Sequence, residues 1–540
     1  MPGEHPRLFF RTYDLPALRA RAATADGAAW IGKLKTSLGG GEALRADLNS
    51  FTIGDAFGFG FLYQLTREQK YADACRQAVV TYMGGTPNKG GVGEYNWRAP
   101  SGYMDVVGPS VSSVAMAYDL CYDGWDEGFR TMVAHQLMTY QCPNAKIEGW
   151  PTTGDVVTLE QMAVTPPGDP GTWTFGPTVA GAGLVTLATM GDPGVDPAQS
   201  ARLLAGVATN VERVFSEGWG DMGGFYRMAQ QGQIVATGGF VPLMQAMRVA
   251  LNKDYITDNQ GAQWMTMHWV FDLMQDPKDT RPRYPDRHDA PSLVQSFSHF
   301  GLRAEGTFWQ GFAAVRDDQK PALLWTYQTL NPEGGPPDYP QHAVFAFLNT
   351  PVGLTAKNPA EVIPHIMQDH RYGLYEFRNR WQDQNDILVT ALLGGASDEH
   401  GTTSVTVWGF GFRTTFGSMP LDTARPRIAH ETFVASQDGS GVLSVAGSSL
   451  AVDFGGTSGA DALLAFVGAR DDLNVDNMRH EDFGPRASST KVMLGATAVY
   501  VMTLQNGIAP TVRVVGDTIL VGNQAIAWNG SALVLTNMNP

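Results

Sequence analysis

A run of sugar-binding side chain types, Glu94-Tyr95-Asn96-Trp97-Arg98, sits inside a glycine-rich stretch at 85–102. Asn96 and Arg98 can receive a carboxylate, the arginine through a bidentate fork, and Trp97 offers an aromatic face to a sugar ring. A surface turn is the plainer reading of the same residues. A second polar run, Tyr284-Pro285-Asp286-Arg287-His288-Asp289, puts Asp286 on a segment that lines a cleft or is simply a solvated loop. In a third, Glu376, Arg378 and Arg380 alternate on one strand face beside Trp381, where they bind an anionic sugar or pair among themselves. Glu94, Glu217, Asp221 and Asp286 are the carboxylates from which a glycoside hydrolase would draw its pair. Such a pair stands about 5–5.5 Å apart for retention and about 6.5–9.5 Å for inversion.

The elements that must hold these groups divide the chain in two. At 540 residues it is too long for one ordinary core. Helical spacing recurs through the first two thirds. Asp14 is placed to cap a helix opening at Leu15-Pro16, pairs of helices follow over 51–84 and 108–140, and a helix rich in Ala and Gly at 178–190 suits close contact. This rhythm without strand patterns predicts a bundle or a toroid of antiparallel helix pairs. Past residue 365 the period changes to two, in short β-branched runs separated by Gly, Asp and Asn, the pattern of stacked antiparallel sheets. The expected class is therefore α+β and multidomain, with a helical unit over 1–360, a sheet unit over 361–540 and a linker at 350–368.

Net charge is −15 and the pI is about 5.1, with no Lys/Arg block to neutralise phosphates, so nucleic acid is not an expected partner. An anionic substrate stays open, because a few cations in a cleft outweigh the global sign locally. Cys75, Cys121 and Cys142 have no zinc spacing and read as small buried hydrophobes, with one bridge as the alternative. No apolar run is long enough to span a membrane. The opening MPGEHPRLFF lacks a basic region followed by an apolar one, and a mature secreted or periplasmic protein is the expectation, with a cytosolic one as the alternative.

Several segments, in order, resemble the heparinase II/III-like superfamily of polysaccharide lyases. HPRLFFRTYDLPALRARA at the start resembles its opening segment, with His5, Pro6, Arg7, Leu8 and Asp14 in place. SSVAMAYDLCY at 112–122 is similar to an early helix ending in a Tyr-Asp pair, and GFYRMAQQGQIVATGGFVPLMQAMRVA resembles a mid-toroid segment. YGLYEFRNRW with DILVTALLGGASDEHG, at 372–401, and ARPRIAHETFVASQDGSG, at 424–441, resemble the first sheet strands and a His-Asn-Thr segment. The resemblance implies an N-terminal (α/α) toroid followed by an antiparallel β-sandwich, and cleavage of an acidic polysaccharide by β-elimination.

That reaction requires neutralisation of the substrate carboxylate, a base for the C5 proton and an acid for the departing oxygen. In the resembled family a Tyr and a His share the last two tasks, which points to Tyr226 and His400. The ordinary phenol pKa near 10 suits Tyr226 to the acid role. Gln231 and Gln233 stand where the family's Tyr aligns if the match slips by several residues. The resemblance implies no metal here: Thr402 replaces a zinc-ligand histidine, WGFGFRTTFG lacks the matching Asp, and His430-Glu431-Thr432 leaves too few ligands for a closed site. No cofactor is expected. Trp173-Thr-Phe-Gly-Pro-Thr also lacks the Asn that the family places after a Trp. A glycoside hydrolase on the same scaffold and a non-catalytic glycan-binding protein are the competing readings.

Overall fold

The computed structural model describes residues 3–39, 53–84, 97, 104–143, 156–172, 174–222, 230–272, 274–275, 282–283, 307–330, 340–383, 385–393, 405–410, 412–417, 431–468 and 486–538. Helices fill the first part: α1 (Leu15–Ala22), α2 (Ala25–Ser37), α3 (Ile53–Thr66), α4 (Gln69–Met83), α5 (Met104–Cys121), α6 (Glu127–Met138), α7 (Leu159–Val164), α8 (Phe175–Thr189), α9 (Pro197–Arg213), α10 (Gln230–Leu251), α11 (Tyr255–Asp258) and α12 (Gln260–Asp272). Helices Thr307–Ala314, Lys320–Leu330 and Pro340–Asn349 complete them. Short side chains start several of these helices. Thr24 accepts from Gly27 N at 3.1 Å, Asp126 from Phe129 N at 2.9 Å and Asp196 from Ala198 N at 2.9 Å. Asp14 departs from the cap expected of it. Its carboxylate accepts from Arg11 N at 2.8 Å and closes the short turn that precedes α1.

The helices pack in an order that is not the order of the chain. α3 lies on α5, α5 on α8, α8 on α10, α10 on Thr307–Ala314 and that helix on Pro340–Asn349, which returns to α3. Every residue of α8 is buried. Its small residues make this possible. A Cβ on Gly108 of α5 would stand 2.0 Å from Pro177 O, and one on Gly181 would stand 2.7 Å from Gly108 O. The sequence expectation of tight contact along 178–190 is what these two glycines deliver.

Two short two-stranded ladders interrupt the helical part, β1 (Gln141–Pro143) with β2 (Val156–Thr158) and β3 (Met274–Gln275) with β4 (Pro282–Arg283). Neither has a strand period long enough to read in the sequence. From Ile366 onward the described elements are antiparallel strands. β5 (Ile366–Asp369), β6 (Leu374–Arg378), β7 (Ile387–Leu392), β8 (Val405–Gly409) and β9 (Phe412–Gly417) form a five-stranded meander. A six-stranded sheet follows, built from β10 (Thr432–Ala435), β11 (Gly441–Val445), β12 (Ser448–Asp453), β13 (Ala462–Val467), β14 (Ala487–Leu494) and β15 (Thr497–Leu504), with β15 between β13 and β14. Strands β16 (Val512–Val515), β17 (Thr518–Val521), β18 (Gln524–Trp528) and β19 (Leu533–Asn537) make a small meander at the end.

Three apolar clusters order these parts. Tyr375, Phe377, Val389 and Val407 of the five-stranded sheet meet Leu443, Leu450, Leu464 and Met502 of the six-stranded one. The far face of that second sheet, with Leu463, Val499 and Val501, meets Ile519, Val521 and Ile526 of the last meander. Met367, Trp381, Leu388 and Trp408 belong instead to the large helical core. Strands β6 and β8 are consequently buried at every position, and only the last residue of β7 is not. The alternation seen in the sequence separates two covered faces, not an inner face from a wet one.

Candidate functional site at the helix–sheet junction

Two of the segments that carried the family resemblance meet in space. Asp119, near the end of α5, accepts from His5 Nδ1 at 2.8 Å and from the backbone N–H groups of Arg7 and Leu8, each at 3.0 Å. Asp192, just beyond α8, accepts from Arg7 Nη2 at 2.6 Å, from Tyr118 Oη at 2.8 Å and from His5 Nε2 at 3.1 Å. Arg7 Nη1 donates to Met190 O at 2.7 Å, and the His5 ring stacks on Tyr122 with centroids 3.8 Å apart. Burial pushes the Asp192 carboxyl up, but the hydrogen bond and charge of His5, with the charge of Arg7, outweigh it and hold the group below the usual carboxylate range. Burial and then the Asp192 charge push the Tyr118 phenol up. Enclosed on all sides, this network fastens the opening segment to the ends of α5 and α8, and its role is structural.

A second polar network joins the sheet to the helices. The fully buried Asp369 ends β5, and its carboxylate accepts from Met222 N at 3.0 Å and from Tyr372 N at 2.8 Å. Gly220 makes room for it, since a Cβ there would stand 1.8 Å from Asp369 Oδ2. Two residues along, Arg371 N donates to Asp221 at 3.2 Å, and Arg371 Nη1 donates to Phe215 O and Trp219 O. The hairpin turn closes through Gly373, whose N–H reaches Asp369 O at 2.7 Å and whose φ of +74° suits glycine. Residues 215–222 of the helical part and 369–371 of the sheet part are thus bound together by side chain–backbone hydrogen bonds.

On the same turn stands His370. Its Nδ1 lies 3.2 Å from Tyr375 Oη, and Tyr375 Oη donates to Glu431 Oε1. Nδ1 is 3.7 Å from that carboxylate oxygen, the Glu431 side chain is fully buried, and the His370 side chain is 45% exposed. A half-open imidazole backed by a phenol and a buried carboxylate has the parts of an acid–base group with an orienting partner. Among the described residues no group of three or more His, Cys, Asp or Glu is arranged to hold a metal ion.

The residues picked from sequence fall in three sets. Tyr226, His400, Asn96, Arg98 and Asp286 lie outside the described residues, as do His430 and Thr402. Gln231 and Gln233 lie in the first turn of α10, whose backbone alone is described there. Trp97, Arg378 and Trp381 are interior, and for these the expected contact with sugar is corrected to packing. Trp97 packs edge-on against Tyr140, whose hydroxyl donates to Trp97 O at 2.9 Å. Trp381 Nε1 donates to Val270 O at 2.9 Å, and Arg378 Nη1 donates to Phe271 O at 2.5 Å. Arg378 also pairs with Asp386 at 3.3 Å, and burial pushes that carboxyl up in spite of the arginine. The face holding Glu376 and Arg378 is buried, with Arg378 on Phe271 O, and its arginines take part in ion pairs, Arg378 with Asp386 and Arg380 with Asp383, neither of them with Glu376. Glu217 is paired with Arg213 at 3.1 Å. The three cysteines are free thiols, all buried.

Sequence reading passed over His370, Asp369 and Asp192. The run Gln368-Asp369-His370-Arg371-Tyr372-Gly373, a polar cluster ending on glycine between two strands, was the available signal for the first two. Asp192 sits in Gly191-Asp192-Pro193-Gly194, which reads only as a turn.

No protein family and no curated protein matches the chain. Among solved structures it is similar to heparinase III, with 9% identity over 89% of this chain and 82% of that one and a TM-score of 0.42. A heparan sulfate lyase HepC mutant from Pedobacter heparinus gives 11% identity, 90% and 81% coverage and a TM-score of 0.40. A Paenibacillus xanthan lyase gives 10% identity and a TM-score of 0.39 over 97% of this chain, which spans 55% of that structure's chain. No helix among the described residues is long and apolar enough to cross a membrane.

Proposed function

We propose that this chain is a polysaccharide lyase that cleaves an acidic, uronate-containing polymer by β-elimination at the junction of its helical and sheet parts. In this reading the helices of residues 1–360 form an (α/α) toroid, residues 361–540 carry a β-sandwich, and the protein works outside the cytoplasm. The return of Pro340–Asn349 onto α3 supports the toroid, and the apolar cluster shared by the two larger sheets supports the sandwich.

The observation that carries the proposal is the clamp at Asp369. It ties Met222, four positions ahead of Tyr226 in the chain, to the turn that opens the first sheet. An acid from the helical part and a partner from the sheet part can then flank one sugar ring. Tyr226 protonates the departing oxygen, and His400 abstracts the proton or stabilises the charge that forms. Asn96 and Arg98 receive the substrate carboxylate, and Gln231 and Gln233 add donors from the start of α10. Hydrolysis draws less support, because Glu217 is paired with Arg213 and Asp221 holds the Arg371 backbone.

Removing only the phenol oxygen, Tyr226→Phe, should lower turnover on a cleaved uronate polymer by roughly 100-fold or more while KM and melting temperature stay near wild type. His400→Ala should behave the same way. A Tyr226→Phe protein with full activity would contradict the assignment.

A further inference from the structure

We infer that His370, oriented by Tyr375 and Glu431, is a proton-accepting station at the helix–sheet junction. For the origin of the proton this rests on the lyase reading, in which a sugar carbon next to a carboxylate is the acid. The geometry itself does not depend on that reading.

The direction of each hydrogen bond follows from the groups. A carboxylate only accepts, so the Tyr375 hydroxyl donates its proton to Glu431 Oε1. The phenol oxygen is then left to accept, and His370 Nδ1 at 3.2 Å is placed to donate. The neutral ring therefore keeps its hydrogen on Nδ1 and its lone pair on Nε2. A proton gained at Nε2 makes an imidazolium whose charge is met by a buried carboxylate 3.7 Å from Nδ1. The ring meets Tyr375 edge-on at 79°, with centroids 6.1 Å apart, so the phenol also fixes its orientation. A base held in one tautomer by a second group, with a carboxylate behind it, is the logic of a catalytic triad in a different set of residues.

Position gives the station its use. His370 lies between Asp369, which holds Met222, and Arg371, which holds residues 215–221. Charged and titratable groups near it include Glu431 and Tyr375 behind, Asp369 and Arg371 on its own turn, and Asp221, which accepts from Arg371 N. In the elimination, Nε2 takes the C5 proton and the C5–H electron pair becomes the C4=C5 double bond. The C4–O bond breaks, and the departing oxygen takes the Tyr226 proton. Transfer from imidazolium to phenolate through water restores both groups. His400 then keeps the stabilising half of its assignment, and Tyr375 and Glu431 are positioning residues.

The first arm of the test uses the whole protein without substrate. Diethyl pyrocarbonate modification at about pH 8.5, above the ordinary imidazole range so that both proteins carry a neutral ring, followed by peptide mass spectrometry, should label His370, and Glu431→Gln should slow that labelling severalfold. Equal rates in the two proteins would overturn the inference. The second arm follows double-bond formation with alginate, heparan sulfate and chondroitin. On a polymer that is cleaved, the half-exposed site makes His370→Gln a mild change for folding, and it should lower kcat by about 100-fold with KM little changed. His370→Ala should regain activity with added imidazole, which a structural role would not allow. A wild type that cleaves none of the polymers while Glu431→Gln still slows labelling removes the lyase reading and leaves the station standing. A fully active His370→Gln removes the station and leaves the lyase reading.

Discussion

Asp192 collects His5, Arg7 and Tyr118 on one buried carboxylate. Removing one partner of a buried charge network leaves the others uncompensated. Asp192→Asn should therefore cost about 3 kcal/mol, read as a lower denaturation midpoint. The pH dependence follows from the sign of the shift. Asp192 is held below its unfolded value, so its contribution is complete above about pH 4 and disappears as pH falls through the lower folded value. Melting temperature of the wild type should drop on acidification in that range, and the drop should be smaller in Asp192→Asn. At this scale the sequence was legible where motif and fold agree. His5, Arg7, Tyr118 and Asp119 were picked out as parts of two motifs, and they turn out to touch. Their shared partner Asp192 was not legible, because a lone aspartate in a Gly-Asp-Pro-Gly turn carries no trace of residues 187 positions away.

Elements were read well where composition itself dictates the contact and poorly where two covered faces mimic an inner and an outer one. The Ala- and Gly-rich stretch at 178–190 was expected to make close helix contact, and α8 crosses α5 through Gly108 and Gly181. Gly108→Ala should cost about 1–3 kcal/mol, since the new methyl meets the Pro177 carbonyl and neither backbone can retreat. Gly32→Ala in α2, with nothing within 4 Å of its Cβ, should instead stabilise the protein by several tenths of a kcal/mol. Urea midpoints of the pair would separate packing from helix propensity. Strand β6 shows the opposite case. Its alternation of Tyr375 and Phe377 with Glu376 and Arg378 reads as core against surface. The polar face is in fact docked on the helices through Phe271 O, and Arg378 also pairs with Asp386 of its own sheet. Periodicity reports that two faces differ, and only tertiary structure says what each one meets.

The described residues form a helical part carrying two short ladders, and three larger sheets in successive contact, and the junction between the helices and the first of these sheets is where the function is proposed. The change of period near residue 365 was visible in the sequence, and the described α-helices end at Asn349 while the five-stranded sheet begins at Ile366. What joins them was not visible, because the Asp369 clamp depends on Gly220 being bare and on backbone donors that have no sequence signature. Gly220→Ala should displace the Asp369 carboxylate and speed amide exchange at Met222 and Tyr372 by about tenfold or more, with little effect in α5 or α8. The central claim is elimination at this junction, and it has a direct chemical signature. The whole protein should be incubated with a panel of uronate polymers while absorbance of an unsaturated uronate and the release of reducing ends are followed together. The two signals should rise in step on at least one polymer, and reducing ends without the absorbance, or neither signal on any polymer, would contradict the account.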